Sequence, residues 1–535
     1  MNNPGLNKKE LLLLFGLFLA AFLVRLYFLP FYRVISADGV GYVTAARSLL
    51  QGNFSLLTIY GVVYPSLTAA VSCFGINTET AGRLVSAFTG SLLVFPLYLL
   101  ARDFFNRAVG IIACILIIAW PSLRSWAGEV MTQSTYITLL VTWYWLLWQA
   151  YRRGSVRWGV GAGIVAGLSY LTRPESLVAF ACMAPILLFP CGTERPPRRR
   201  FILAASSAGG FILMLVPFVI LVHDVTGHWQ LAGKTGATLA DALSEYLGRP
   251  DLKNEPGFQG IGIMDVIRDY PGFIGQNMVK NLGKTMSTMV PWYFWALAAF
   301  GSAVGGWTRD KVTERLFLLA SFAPLVIIIM FFFVGPEYLQ PYLPVLFLWV
   351  GQGMQSVERL LLLPFSSRQG VLASFPRIPV AVIAASILSI ISFVGQVPKD
   401  RNKPYHFEDD GGRYDQRRIG TLLKQHLPPG SKIMTRWGRI SFYAEMENSG
   451  MPQAGLAETL AAARKNGVRF IIIDGMLLNA RPQYEPLFAP LVSSPESILY
   501  NPGSSGELSP VAGLRLFLLY KDPSSLGVAV YELVP

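Results

Sequence analysis

Five side chains stand just beyond long apolar runs and have the types needed for proton transfer and anion binding: Asp38, Glu129, Arg173, Glu337 and Tyr338. A carboxylate can take a proton from an attacking hydroxyl. A guanidinium forks onto phosphate-like oxyanions. Asp38 sits in Ala37-Asp38-Gly39-Val40-Gly41-Tyr42, and Arg173 in Thr172-Arg173-Pro174-Glu175. Charges at membrane depth are costly and are usually kept for function. Each has a plainer reading. Asp38 could cap a helix by accepting a backbone N–H, Glu129 could be a solvated loop residue, and Arg173 could be an interfacial anchor. Arg25 and Arg83, near helix ends, read as anchors or ion-pair partners. The histidines, His223, His228, His406 and His426, form no metal-ligand spacing, and Cys73, Cys114, Cys182 and Cys191 form no CxxC pair. Walker, HExxH and nucleophile-elbow signatures are missing, which argues against an ATP-driven pump or a membrane zinc protease.

The elements that must hold these groups are membrane helices. Of 535 residues, 53% are hydrophobic and only 14% charged, where a soluble domain has about a quarter charged. The apolar residues fall in runs of roughly twenty, the length that crosses a ~30 Å hydrocarbon layer as a helix. The expected spans, about eleven, cover 10–29, 82–101, 108–123, 133–150, 157–172, 176–190, 201–223, 290–306, 316–334, 341–363 and 378–397. The run after Lys8 and Lys9 resembles a signal peptide but lacks a small-residue cleavage site, so it is expected to remain as the first helix.

Basic residues concentrate in alternate short loops: Arg102 with Arg107; Arg152, Arg153 and Arg157; Arg195 with Arg198 to Arg200; Arg309, Lys311 and Arg315. Those loops and the N-terminus are expected to be cytoplasmic. This explains the net charge of +13 without nucleic acid. The outer loops 30–81 and 224–289 and the C-terminal region then face outward. Within the first outer loop, Asp38–Gln51 has the spacing of a short helix at the membrane surface, and 66–74 suggests a second. Gly159, Gly163 and Gly167 form a small-residue stripe for close helix packing.

Two domains are expected: a membrane domain over 1–397 and an extracytoplasmic domain over 398–535. In the second, helices are expected at Ile419–Leu427 and Leu456–Asn466. Strands are expected at Lys432–Thr435, Phe470–Asp474, Leu514–Tyr520 and Val528–Leu533, which together suggest a small α/β fold.

The order of several short motifs resembles the C-type polyprenyl-phosphate-sugar glycosyltransferases, and most closely the protein O-mannosyltransferase and aminoarabinose transferase group. Asp38, Tyr42, Ala45, Leu49, Gly52 and Phe54 follow that family's first-loop pattern. Tyr64-Pro65 with Leu67, Arg83-Leu84-Val85-Ser86, Trp120-Pro121-Ser122 with Glu129, and Leu171-Thr172-Arg173-Pro174-Glu175 come next in register. Tyr338-Leu339 with Pro341 and Pro344 resembles the start of the tenth helix, but Glu337 stands where the family often has arginine. The large outer loop, with His223, Asp224, Gly227 and Lys234-Thr235-Gly236, also resembles the family's. The similarity spans about residues 10 to 400.

The resemblance implies an α-helical polytopic glycosyltransferase of the plasma (inner) membrane. It would move a sugar from a polyprenyl phosphate to a hydroxyl of a lipid, glycan or protein acceptor at the outer face. Asp38 is the implied catalytic base, in a single inverting displacement. The implied substrate-binding residues are Tyr42, Tyr64, Glu129, Arg173, Lys234, Glu337 and Tyr338, with Arg173 first and Lys234 second for the phosphate. Glu129 is expected to hold sugar or acceptor, or to share a Mg²⁺ or Mn²⁺ with Asp38, although the mannosyltransferase-like relatives require no metal. Glu337 is expected to bind sugar hydroxyls or a cation. The main rival is a transporter or flippase of polyprenyl-linked glycans, which often carries internal repeats; no clear repeat is visible here. The C-terminal domain is expected either to shape acceptor access or only to pack.

Overall fold

A computed structural model describes residues 6–189, 195–231, 235–249, 252, 261–304, 307, 311–332, 335–362, 380–388, 390–391, 412–452, 454–477, 481–495, 497–501, 511–522 and 525–534. The chain divides into two compact units. The first is Met1–Phe31 with Tyr42–Asn402, and the second is Tyr32–Gly41 with Lys403–Pro535. The sequence placed residues 32–41 in an outer loop of the membrane domain; they cluster instead with the C-terminal unit.

The first unit is a helical membrane domain. Helices Lys8–Phe31, Thr78–Phe104, Pro197–Thr226 and Val312–Phe331 are each long and apolar enough to cross a bilayer. Arg107–Ala119 and Pro121–Gly128 form an apolar pair bent by 57° at Trp120, a broken span or a re-entrant loop. Proline at the second helix's first position removes the donor that would continue the first. The other expected spans are also helical, at Gln133–Arg153, Val156–Thr172, Ser176–Met183, Trp292–Val304 and Leu343–Leu362. They are shorter or more polar, and Gln133–Arg153 is largely buried among its neighbours. Of the last expected span, residues 380–388 and 390–391 are described and helical.

Glycines set the helix spacing where the sequence placed the stripe. A Cβ on Gly159, Gly163 or Gly167 would collide with Ser206, Ser207 or Met214 of helix Pro197–Thr226. Gly301 and Gly353 play the same role between Trp292–Val304 and Leu343–Leu362. The first helix begins with a capping box: Glu10 N–H donates to the Asn7 side chain at 2.8 Å, and Asn7 N–H donates back to Glu10 at 3.2 Å. Glu10 is then buried against Arg107 at 2.8 Å and the Tyr98 hydroxyl at 3.1 Å.

The second unit is an α/β domain on a six-stranded sheet of order β2-β1-β3-β6-β5-β4. The strands are β1 (Lys432–Met434), β2 (Glu447–Asn448), β3 (Phe470–Asp474), β4 (Ile498–Tyr500), β5 (Leu514–Asp522) and β6 (Ser525–Leu533). β2-β1-β3 run parallel, and β3-β6-β5-β4 run antiparallel. All five residues of β3 are buried, because helices cover both faces. Phe470 and Ile472 pack with helices Gly412–His426 and Gly438–Ala444. Ile471 and Ile473 pack on the opposite side with Leu456–Lys465 and Glu485–Ser493. Two short strands, β2 and β4, and helices Gly438–Ala444 and Glu485–Ser493 were not foreseen.

Candidate functional site

In the membrane unit, Arg173 ends helix Val156–Thr172 in extended conformation, and Pro174 and Glu175 turn the chain into Ser176–Met183. Proline disfavours a helical residue before it. The guanidinium is therefore thrown sideways to meet Glu175, with Nη2 2.8 Å from Oε1 and Nε 3.4 Å from Oε2. Both side chains are mostly buried, at 13% and 22% exposure. Burial opposes both charges, yet each stabilises the other. Arg173 is held above the ordinary arginine range, and the Glu175 carboxyl below the ordinary carboxylate range.

Around this pair is a shallow, half-open pocket with about 190 Å³ of non-atom space, lined chiefly by Tyr136, Arg173, Glu175, Glu337, Tyr338 and Tyr342. The Arg173 guanidinium lies 5.5 Å from the Tyr338 ring centre and 5.8 Å from that of Tyr136. Part of this space is open to solvent, and the enclosed part is no larger than a water site. The structure thus brings Arg173, Glu337 and Tyr338 together, from two separate stretches of chain. Glu175 was noted only as part of a motif. Tyr136 and Tyr342 were missed: each lies within an apolar run, where a tyrosine looks like any other core residue.

The outer loop joins this site through the backbone. Gly61 has φ +75°, and a Cβ there would sit 2.7 Å from the Leu171 carbonyl oxygen. The next residue, Val62, donates its N–H to that oxygen at 2.8 Å. Tyr42, in helix Ala37–Leu50, packs edge-on against Tyr60 and Tyr64 at 5.7 and 5.4 Å and approaches the Thr132 hydroxyl at 3.5 Å.

Two of the expected substrate-binding residues are buried. Tyr64 is fully buried; its hydroxyl donates to the Gly82 carbonyl at 2.8 Å and meets Ser86 Oγ at 2.8 Å. Its ring supports that of Tyr42. Glu129 is 1% exposed, so it is not a solvated loop residue. The bend after Pro121–Gly128 folds it inward. Arg83 pairs with Glu79 at 2.7 Å, the plain reading given to it. Lys234 lies outside the described residues.

Asp38 belongs to the second unit. It lies in the first turn of helix Ala37–Leu50, exposed to solvent. The cap of that helix is Ser36, whose hydroxyl accepts the Gly39 N–H at 2.9 Å. The capping role weighed for Asp38 is thus filled by its neighbour. Among the described residues, no three His, Cys, Asp or Glu side chains gather to hold a metal ion. In the cavity, Glu175 is committed to Arg173, which leaves Glu337 alone as a carboxylate donor. That set does not suit Mg²⁺ or Mn²⁺.

Comparison with known proteins gives three findings. Residues 61–221 match the family model described as dolichyl-phosphate-mannose-protein mannosyltransferase. No curated protein matches the sequence. Among solved structures, the fold is similar to ArnT from Cupriavidus metallidurans bound to undecaprenyl phosphate, with TM-score 0.56, 14% identity, and 96% of this chain against 97% of that one. It is also similar to the archaeal oligosaccharyltransferase AglB from Archaeoglobus fulgidus, in complex with an inhibitory peptide and a dolichol-phosphate. There the TM-score is 0.56 and the identity 12%, over 89% of this chain and 71% of that one. Arabinofuranosyltransferase AftD from Mycobacteria matches with TM-score 0.53 and 13% identity, over 99% of this chain and 40% of that one.

Proposed function

Because this multi-pass membrane protein has the fold of the C-type glycosyltransferase superfamily, we propose that it transfers a sugar from a polyprenyl phosphate to an acceptor hydroxyl at the outer face of the plasma membrane. The donor class is supported by the polyprenyl phosphates bound in ArnT and AglB. The observation that carries the residue assignment is that Ser36 caps helix Ala37–Leu50, which leaves the exposed Asp38 carboxylate without that task among the described residues.

In this reading the acceptor oxygen attacks the anomeric carbon. The bond from that carbon to the phosphate oxygen breaks, and its electron pair leaves with the polyprenyl phosphate. The acceptor proton goes to Asp38, and configuration inverts. The leaving group is already an anion and needs positive charge, not a proton. Arg173 supplies that charge. Its Nε–Nη2 edge is held by Glu175, so the Nη1 side is the one offered to the phosphate. Glu337, beside it, accepts hydrogen bonds from sugar hydroxyls, and Tyr338 with Tyr42 flanks the sugar. No step is assigned to a metal.

The test uses the full chain in lipid nanodiscs with labelled polyprenyl-phosphate sugars and a panel of lipid, glycan and peptide acceptors. Transfer by the wild type, lost in Asp38→Asn with an unchanged unfolding profile, supports the reading. Full-rate transfer by Asp38→Asn removes Asp38 as base. Absence of both donor binding and transfer in the wild type overturns the whole assignment.

A further inference from the structure

The residues that precede Asp38 are held by the C-terminal domain. Helix Gly438–Ala444 presents Arg439 and Tyr443 one turn apart. Arg439 Nε donates to the Ile35 carbonyl at 3.0 Å, and the Ile35 N–H donates to the Tyr443 hydroxyl at 2.8 Å. Both polar groups of one backbone residue, three positions before Asp38, are thus taken by one helix. Arg417 donates to the Arg33 carbonyl and lies over the Tyr443 ring at 5.3 Å. Val34 and Ile35 are fully buried.

Arg439 is itself fixed. It is 5% exposed, and its Nη1 donates to Gln416 Oε1 at 3.0 Å. Gln416 Nε2 reaches Met476 Sδ at 3.7 Å, and the Met476 N–H donates to Asp474 at the end of β3 at 3.0 Å. The support runs from the central strand of the sheet to the Ile35 peptide. Gly420 lets helix Gly412–His426 approach this region closely, because a Cβ there would lie 2.6 Å from the Ile440 carbonyl oxygen.

We propose that the C-terminal domain is the positioning element of Asp38, acting through the paired hold of Arg439 and Tyr443 on Ile35. The proposal rests on the reading of Asp38 as base. Neither residue contacts substrate; both are positioning residues. A base misplaced by about 1 Å can cost on the order of 10²-fold in rate. Loss of either contact therefore lowers kcat and leaves donor binding intact. The domain is then needed for turnover as well as for packing.

The test measures kcat, donor KM and amide exchange of residues 32–41 in the full chain for Tyr443→Phe, Arg439→Gln and Arg439→Lys. Tyr443→Phe removes one hydroxyl and keeps the ring, so it guards against a folding failure. The expected result is a kcat drop of about ten- to a hundredfold with donor KM unchanged, partial rescue by lysine, and faster exchange at Ile35. Lys424→Ala breaks the exposed Lys424–Glu445 ion pair between the same two helices and leaves kcat unchanged. If Asp38→Asn abolishes transfer but Tyr443→Phe and Arg439→Gln both run at the wild-type rate, the positioning proposal is overturned and the base assignment survives. If Asp38→Asn itself transfers normally, the base assignment fails first.

Discussion

Arg173 and Glu175 are two residues apart in sequence and form an ion pair at 2.8 Å across the turn between two membrane helices. Pro174 makes this possible by ending the first helix and turning the next residue back toward the guanidinium. The pair is more than a surface salt bridge, because both side chains are largely shielded from water. It fixes the only cation lining the small cavity as described.

Removing one partner leaves a buried charge alone, which typically costs ~3–5 kcal/mol. With 13–22% exposure, we expect about 2–3 kcal/mol for Arg173→Met and for Glu175→Gln. The double variant Arg173→Met/Glu175→Leu should recover most of the stability but none of the transfer. Thermal unfolding in detergent checks the stability; additive losses in the double variant would deny the coupling.

The same pair has a definite pH signature. Burial opposes ionisation of Glu175, but Arg173 outweighs it, so the folded carboxyl titrates below its unfolded value. The unfolded state then binds more protons in acid. The contribution is complete above the unfolded glutamate range, near pH ~4–5, and is lost as pH falls below it. Glu175→Gln should flatten the acid limb of the membrane domain's stability curve; an unchanged limb would contradict the ion pair.

Asp474 predicts the opposite slope in the C-terminal domain. It is 1% exposed, and burial pushes its carboxyl up to about 7. The folded state therefore binds more protons than the unfolded state between the unfolded value near ~4 and about 7. Stability falls as pH rises through that window and levels off above it. A rise of this size corresponds to a few kcal/mol, on the order of 1.4 per unit. Asp474→Asn should remove the slope and raise stability at pH 8. Hydrogen exchange at β3 between pH 5 and pH 8 measures it, and a wild type more stable at pH 8 would refute it.

The glycine stripe gives a packing test with an internal control. Gly163→Ala drives a methyl into the backbone of helix Pro197–Thr226, whereas Gly161, one half-turn away, has nothing within 4 Å of a Cβ. Overpacking of this kind costs ~1–3 kcal/mol. The melting temperature should fall in Gly163→Ala and stay within a degree or so in Gly161→Ala. Equal behaviour of the two would mean the helices do not meet on this face.

Metal removal is the last check. Glu337 is the cavity carboxylate left uncommitted by the Arg173 pair, too few ligands for a hard divalent cation. Transfer measured with excess chelator should match that without it. A loss restored by Mg²⁺ or Mn²⁺ would place a cation in the mechanism.

Much was legible in the sequence because apolar length, glycine spacing and strand alternation are local properties. The runs that became Lys8–Phe31 and Pro197–Thr226, the Gly159–Gly163–Gly167 stripe, the helix from Ala37 and the fully buried strand Phe470–Asp474 all followed from neighbours along the chain. What tertiary structure decided was which polar groups are spent on the protein itself. No spacing rule says that Ser36 rather than Asp38 caps a helix, or that Tyr64 gives its hydroxyl to Gly82. Nor does any local rule bring Arg439, some four hundred residues downstream, to the Ile35 carbonyl. Hydrogen-bond satisfaction in a buried site is settled by whichever partner the fold brings within about 3 Å. That proximity is a property of packed elements, not of sequence distance.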